Sequence, residues 1–536
     1  NKDPDPSLIC TPPSGTQFPI GDNEVVCVAT DNVGNETTTS FFVSVLEIAD
    51  TPGERFLDIV SLRGEEALGA GGAGTGIPAG ATIFTYYNAY INNDGDAIVR
   101  AALSGAPGAD RALFKANGSG LTELLAVRGG TSPFGGTYSA FADEALSDDG
   151  VASFTGSVGT TDGHVADDGA GATGVAFVGG AAADTGGATF RALRQLASAG
   201  ANGIYSPGYL TTGGAVTVRN DTGIWRSTSG LVAREGDPAA GFGQAPHGHV
   251  FNRVVTNASG DIAFAGSVLT RPSGAAVWAG SPAMLSVIAQ KAAAAPGTTG
   301  AFRSFAAESI GGGGDVAIRA TLVTQTGIIG SDNNEGIWTN RSGSLELVAR
   351  EGDVAACLPT TDALFGRFDT MSVADDGSVC FFAYLKGPGV NSSNDGSFWR
   401  STGDGTLHLI VREGAEANNT DGAVHSTIHS VACNNSGGAV YSTRLVRGVG
   451  DTASSNDFGL WLDKGSELAA ELVLREGDKF PLAADERTVT FIGFDQTTNA
   501  AGGTGGYGRV VNDSGEIMLR LSLDGNLSGL FILGEE

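Results

Sequence analysis

The sequence predicts an all-β fold, a β-propeller of about eight four-stranded blades. Three observations predict it: a hairpin turn that returns every 57 residues or so, an aromatic at a matching place in each repeat, and a spare strand near the N-terminus that supplies what the last repeat lacks.

The hairpin is clearest in Val250-Phe-Asn-Arg-Val-Val-Thr-Asn-Ala-Ser-Gly260-Asp-Ile-Ala-Phe264, an alternating apolar strand, a tight Asn/Ser/Gly turn and a second strand. Related turns place glycines at Gly95, Gly150, Gly203, Gly260, Gly314, Gly377, Gly437 and Gly515. Beyond each turn comes an aromatic preceded by an apolar residue: Phe114, Phe177, Trp225, Trp278, Trp338, Trp399, Trp461 and Phe531. All five tryptophans fall in this column, as expected if one large ring fills the same gap between stacked sheets in each repeat.

A fourth strand then ends in Arg-Glu-Gly, seen at Val232-Ala-Arg-Glu-Gly-Asp237, Val348-Ala-Arg-Glu-Gly-Asp353, Ile410-Val-Arg-Glu-Gly414 and Val473-Leu-Arg-Glu-Gly-Asp478. The last repeat runs out after Phe531 without that strand. Phe56-Leu-Asp-Ile-Val-Ser-Leu-Arg-Gly-Glu-Glu66 has the missing pattern before the first hairpin. Pairing the two would close the ring and remove its exposed edges. A solenoid would need polar caps at both ends instead.

Composition agrees. Glycine, at 83 residues, favours turns and strands over helices, where it costs about 1 kcal/mol relative to alanine. A formal charge of −28, from 59 acidic and 31 basic residues, repels nucleic acid phosphates and anionic lipid, so neither is an expected partner. No apolar run is long enough to insert in a bilayer. Cys10 and Cys27 flank one turn and read as a disulfide, hence an extracellular protein. Of Cys357, Cys380 and Cys433, two can pair and one remain a buried thiol, and the sequence does not decide which. The chain starts at Asn1, which reads as a processed or partial product.

Asn257, Gly260, Ala263 and Phe264 resemble the Asn-x-x-Gly-x-x-Ala-Phe repeat of bacterial secreted tandem-repeat proteins, with partial matches at Asn92/Gly95, Gly314/Ala317, Asn434/Gly437 and Asn512/Gly515. The resemblance implies a bacterial cell-surface or secreted β-propeller. Members often carry a C-terminal sorting anchor, and the ending Gly534-Glu535-Glu536 leaves attachment open. Cys10-Thr-Pro-Pro-Ser-Gly-Thr-Gln-Phe-Pro-Ile-Gly21 with Val25-Val-Cys-Val-Ala-Thr-Asp-Asn-Val-Gly-Asn35 resembles a hyalin repeat, which implies part of an immunoglobulin-like β-sandwich over residues 1–48, followed by the propeller over 49–536. Such a sandwich needs about seven strands. Either the chain is a fragment, or strands of another subunit complete the module and build a filament.

Little chemistry is legible. None of the six histidines sits in an H-E-x-x-H setting, and no nucleophile elbow or P-loop occurs. The Arg-Glu-Gly-Asp copies recur from repeat to repeat, as ion pairs of a scaffold would, whereas a catalytic site breaks symmetry. No catalytic residue and no cofactor is expected. Calcium is the one metal with candidates: Asp94, Asp96, Asp148, Asp149, Asp375 and Asp376, oxygen ligands in tight turns without a complete EF-hand loop. Asn-x-Ser/Thr triplets such as Asn35-Glu-Thr37 and Asn391-Ser-Ser393 are formal glycan acceptors.

The expected function is that of a non-enzymatic extracellular structural or adhesive protein, associating with itself or with other surface proteins. The alternative is a propeller holding a carbohydrate or other ligand in its channel, with an extracellular hydrolase or lyase third. A ligand site would gather aromatics or carboxylates at one channel end, in loops that differ between blades; insertions after Val158, at 324–334 and at 497–506 are the places to look.

Overall fold

The computed structural model describes all residues except 1–6, 13–20, 32, 46–54, 250–252, 271–273, 356–362, 466–468, 483–484, 495–504 and 536. Cys357 and most of the predicted insertion at 497–506 therefore lie outside the described residues.

The N-terminal module is one antiparallel sheet of three strands, Ser7–Thr11, Gly21–Thr30 and Glu36–Val45, in chain order. Cys10 and Cys27 face each other in the register and are disulfide-bonded. Val25 and Cys27 are buried, while Leu8 and Ile9 on the edge strand are each 67% exposed. No second sheet of a sandwich occurs among the described residues.

The rest of the described residues form eight further antiparallel sheets. Blades 1 to 7 cover residues 82–127, 140–177, 190–234, 255–290, 302–350, 364–412 and 425–475, each read in chain order from its first strand to its fourth. Blade 3 has its first strand split into Phe190–Leu193 and Ala197–Ser198. Blade 8 covers 479–535, and its outermost strand is Arg55–Leu62. That strand pairs antiparallel with Leu527–Glu535, Ile59 opposite Phe531, so the predicted closure by both ends of the ring is present. Arg55 bolts it further, 3.0 Å from Glu471 in blade 7 and 3.5 Å from Glu535.

The aromatic column occupies one register position on the third strand. Trp278 lies opposite Phe264, Trp338 opposite Ile318, Trp399 opposite Phe381, Trp461 opposite Tyr441, Trp225 opposite Ser206, Phe114 opposite Val99 and Phe531 opposite Leu519. Each sits at a bulge against the fourth strand. Four of the indole N–H groups donate to the loop entering the same blade, at the carbonyls of Ala183, Ala240, Pro296 and Asn418; Trp399 donates to Ser397 Oγ.

Phe177 is the exception. In blade 2 the second and third strands join by a short turn, so the third strand arrives early and Val165, opposite Phe154, takes the column position. Phe177 lies on the fourth strand opposite Gly163, where blade 3 has Arg234 opposite Gly223, and stacks on Phe134 at 5.5 Å.

A second column stands where each chain segment enters its blade. Phe190, His247, Phe302, Phe365 and His425 pack edge-on against the tryptophan of their own blade, with ring centroids 4.7–5.2 Å apart. The Arg-Glu-Gly copies are structural too. Arg234, Arg350, Arg412 and Arg475 donate Nε–H to the backbone carbonyls of Asn220, Asn333, Asn394 and Asn456 at 2.7–2.9 Å. The glycine that follows has a positive φ each time, +79° to +93° at Gly236, Gly352, Gly414 and Gly477.

Between blades, the turn asparagines act as clips. The side-chain carbonyls of Asn92, Asn257, Asn434 and Asn512 accept amides of their own turns, and their NH₂ groups donate to Ser147, Gly311, Asn512 and Asn92 carbonyls in the next blade. Cys380 of blade 6 and Cys433 of blade 7 form a disulfide, which resolves the pairing the sequence left open.

Candidate functional site

The turns between first and second strands of blades 1 to 7, and the equivalent connection of blade 8, converge on one cavity of about 320 Å³, at one end of the central channel. Its wall carries Asn93, Asp148 and Asp149, Asn202, Asn257, Gly312, Asp375, Asn435 and Asp513, from blades 1 through 8 in turn. Its floor is the segment Gly506, Tyr507 and Arg509, from the long excursion between strands Asp485–Gly493 and Ile517–Leu523 of blade 8.

The excursion's described residues from Gly505 to Arg509 lie across the channel. Gly505 and Gly506 carbonyls accept the amides of Thr256 in blade 4 and Ser198 in blade 3, and Tyr507 donates its hydroxyl to Val254 at 2.6 Å. The Ile91 amide of blade 1 donates to the Arg509 carbonyl, and the Arg509 Nε–H donates to the Ile91 carbonyl, before the chain returns to blade 8. Gly508 is required there, since a Cβ would come within 2.3 Å of the Tyr90 ring.

The buried Arg509 guanidinium contacts Asp148 and lies 3.8 Å from Asp513. These two aspartates are otherwise saturated: Asp148 accepts the Asn93 amide and side chain, and Asp513 accepts the Asn435 amide at 2.7 Å and the Asn93 side chain at 2.6 Å. Asp149 accepts the Ala201 amide at 2.7 Å. Asp375 differs, because Oδ1 caps the Gly312 amide at 2.5 Å while Oδ2 accepts nothing among the described residues. Partial burial raises its carboxyl above the ordinary range; the Gly312 amide pulls it back, Asp513 and Asp148 add repulsion, and Arg509 lowers it.

Of the six calcium candidates, the cavity brings together Asp148, Asp149 and Asp375. The other three serve their own turns. Asp94 and Asp96 donate backbone amides to Asn92 Oδ1, and Asp376 accepts the amide and hydroxyl of Ser378. Arg509, Tyr507 and Asp513 were not singled out by sequence reasoning; the length of the insertion was the available signal.

One further arrangement has the spacing of a nucleophile and base. His164 Nδ1 is 2.7 Å from Ser206 Oγ, and Nε2 is 3.0 Å from the Arg194 carbonyl. Both side chains are sealed in the core, and burial lowers the His164 pKa to about 4. This pair joins blade 2 to blade 3 and lines neither the cup nor the smaller cavity beside Tyr86.

No curated protein matches the chain in sequence. Solved structures with similarity include a β-propeller domain, and all are at low identity here. The β-propeller domain of the Trilobed protease from Pyrococcus furiosus is 9% identical, covering 73% of this chain and 98% of that one, with a TM-score of 0.36. Pyrococcus horikoshii acylaminoacyl peptidase is 10% identical over 75% of this chain and 56% of its own, TM-score 0.36. The GH74 xyloglucanase from Xanthomonas campestris is 11% identical over 76% and 53%, TM-score 0.32, so the match spans about half the length of these two enzymes. A family model matches twice in succession, over residues 48–275 and 269–534, and the chain accordingly belongs to that family, DUF7453, a family of unknown function.

Proposed function

We propose that this protein is a non-enzymatic binding propeller of the cell exterior, whose cup at the turn end of the channel takes a small ligand rich in hydrogen-bond donors, a saccharide or an amine. The observation that carries this reading is the asymmetry of the cup. A pure scaffold has turns alike from blade to blade, whereas here one blade's excursion forms the floor and, among the described residues, Asp375 is the cup aspartate with an oxygen that accepts no hydrogen bond. Four aspartates face one arginine, so the cup attracts ammonium and hydroxyl donors and repels anions. Its volume lies at the lower end of small-molecule sites. The two disulfides fit an oxidising compartment.

Calorimetric titration with spermidine, a neutral oligosaccharide and calcium tests the proposal, each with wild type and Asp375→Asn. The substitution keeps the shape and removes the charge, so amine binding should weaken at least tenfold and saccharide binding less. Absence of binding by all three probes, or binding indifferent to Asp375→Asn, would overturn it.

A second reading, self-association by strand complementation, draws on the N-terminal sheet. Its edge strand Ser7–Thr11 pairs on one side only and exposes Leu8 and Ile9. Concentration-dependent assembly that Leu8→Lys abolishes would favour it.

A further inference from the structure

At the far end of blade 3 from the cup, we infer a binding site for a divalent transition ion of the zinc type, formed by Asp221, Glu235 and His249. Asp221 precedes the third strand of the blade, Glu235 follows the fourth, and His249 lies in the connection to blade 4. One ligand atom from each lies within 4.8 Å of the others. Both carboxylate side chains are only 6% exposed, whereas the imidazole is 55% exposed and free to close on an ion.

The other blades show what this place looks like when it is merely structural. In blade 1, Asp110 meets Arg128 at 2.8 Å; in blade 7, Asp457 meets Arg444 and Arg447 at 3.2 and 2.5 Å; in blade 5, Glu351 meets Lys386 at 3.2 Å. Blade 3 keeps the arginine at its aspartate, but its glutamate faces a histidine, His249, where Glu351 of blade 5 faces a lysine. Arg191 reaches only Asp221 Oδ2, at 3.2 Å, and the Thr222 hydroxyl donates only to Glu235 Oε2, at 3.2 Å. Asp221 Oδ1 and Glu235 Oε1 accept no hydrogen bond from the described residues, which leaves one oxygen of each carboxylate open to a cation. His249 Nδ1 lies 3.7 Å from Glu235 Oε2, and the Ser267 hydroxyl fixes its backbone carbonyl at 2.7 Å.

Two carboxylate oxygens and one imidazole nitrogen make a borderline donor set that suits Zn²⁺ better than Ca²⁺ or Mg²⁺, with a fourth position open to water. Thr222 and Arg191 orient the ligating carboxylates from behind. Arg191 also places a positive charge beside the ion and so limits its affinity.

The test is Zn²⁺ titration of the full chain, wild type against His249→Ala, Asp221→Asn and Arg191→Gln, with the thermal stability of each metal-free variant as a check on folding. Wild type should bind with a stoichiometry that drops by one in His249→Ala, a substitution at a half-exposed side chain that leaves the fold intact. Arg191→Gln should bind about tenfold more tightly, the opposite of what loss of a structural ion pair would do. The inference fails if wild type takes up no zinc at 100 µM, if His249→Ala retains full stoichiometry, or if Arg191→Gln leaves the affinity unchanged.

Discussion

Replacing His247 and His425 with phenylalanine should make the protein markedly less sensitive to acid. Both rings stand where blades 3, 5 and 6 carry Phe190, Phe302 and Phe365, edge-on to a tryptophan. Burial is the cause that lowers each pKa to about 4, against about 6.5 in an unfolded chain. As the pH falls through 6.5 the unfolded state takes up two protons that the folded state refuses until about pH 4. Stability is therefore complete above pH 6.5 and drains away down to pH 4, by about 3 kcal/mol for each ring. Urea denaturation followed by tryptophan fluorescence, at half-unit steps from pH 7.5 to 4, reads the effect directly. The double variant should retain about 6 kcal/mol more than wild type at pH 4, relative to each protein's own value at pH 7.5. His164 and the buried carboxylates titrate alike in both proteins and cancel. Parallel pH profiles would refute the assignment of the two histidines to the core.

Three more outcomes follow from the ring. Ala292, with φ +70°, stands where the other connections have a positive-φ glycine, so Ala292→Gly should stabilise by about 0.5–1 kcal/mol in urea, after allowance for glycine's greater unfolded freedom. Cys380 and Cys433 close a loop of 53 residues between neighbouring blades; Cys380→Ala/Cys433→Ala should cost about 4 kcal/mol, and an unchanged urea midpoint would remove the bond's assigned role. Deleting 55–66 uncovers Leu57 and Val60 and leaves strand Leu527–Glu535 as an open edge, with an expected loss of at least about 3 kcal/mol by calorimetry.

Closure and the tryptophan column were legible because rare features survive inspection: Arg63-Gly64 is a repeat ending with no repeat before it, and tryptophan is scarce enough for five equivalent placements to stand out. Phe177 misled because counting residues from Gly150 assumes a constant hairpin length, while blade 2 shortens its turn at Gly159. The second column escaped notice because histidine and phenylalanine alternate in it, and only shape unites them. Composition could not supply the cup. Asp148, Asp375 and the Arg509/Asp513 pair lie more than a hundred residues apart, and the floor depends on Tyr507 meeting Val254 across 253 residues. The triad of Asp221, Glu235 and His249 was hidden for a related reason: its glutamate belongs to the repeated Arg-Glu-Gly, and only a histidine placed differently from the other blades' cations makes it exceptional.

The floor of the cup also answers a mechanical need of the ring. Three blades staple themselves to the next through an arginine at one register position of the second strand: Arg100 donates to the Phe141 carbonyl, Arg319 to Phe368 and Arg520 to Tyr86. The first strands they reach are bulged at or beside these residues, which turns a carbonyl away from its own ladder and toward the neighbour. Blades 3 and 4 have Pro207 and Ala265 at that position and lack the staple. Gly505 and Gly506 bond to those two blades, joining the first strand of blade 3 to that of blade 4. The excursion thus ties one of the seams that lack the arginine, and a ligand seated on Tyr507 and Arg509 would press on the tie. Binding to the folded state alone raises stability by RT ln(1 + [L]/Kd), about 2.7 kcal/mol at a hundredfold excess over Kd. Through this floor the gain should appear first as slowed amide exchange at Ser198 and Thr256, ahead of the blades that arginine already holds.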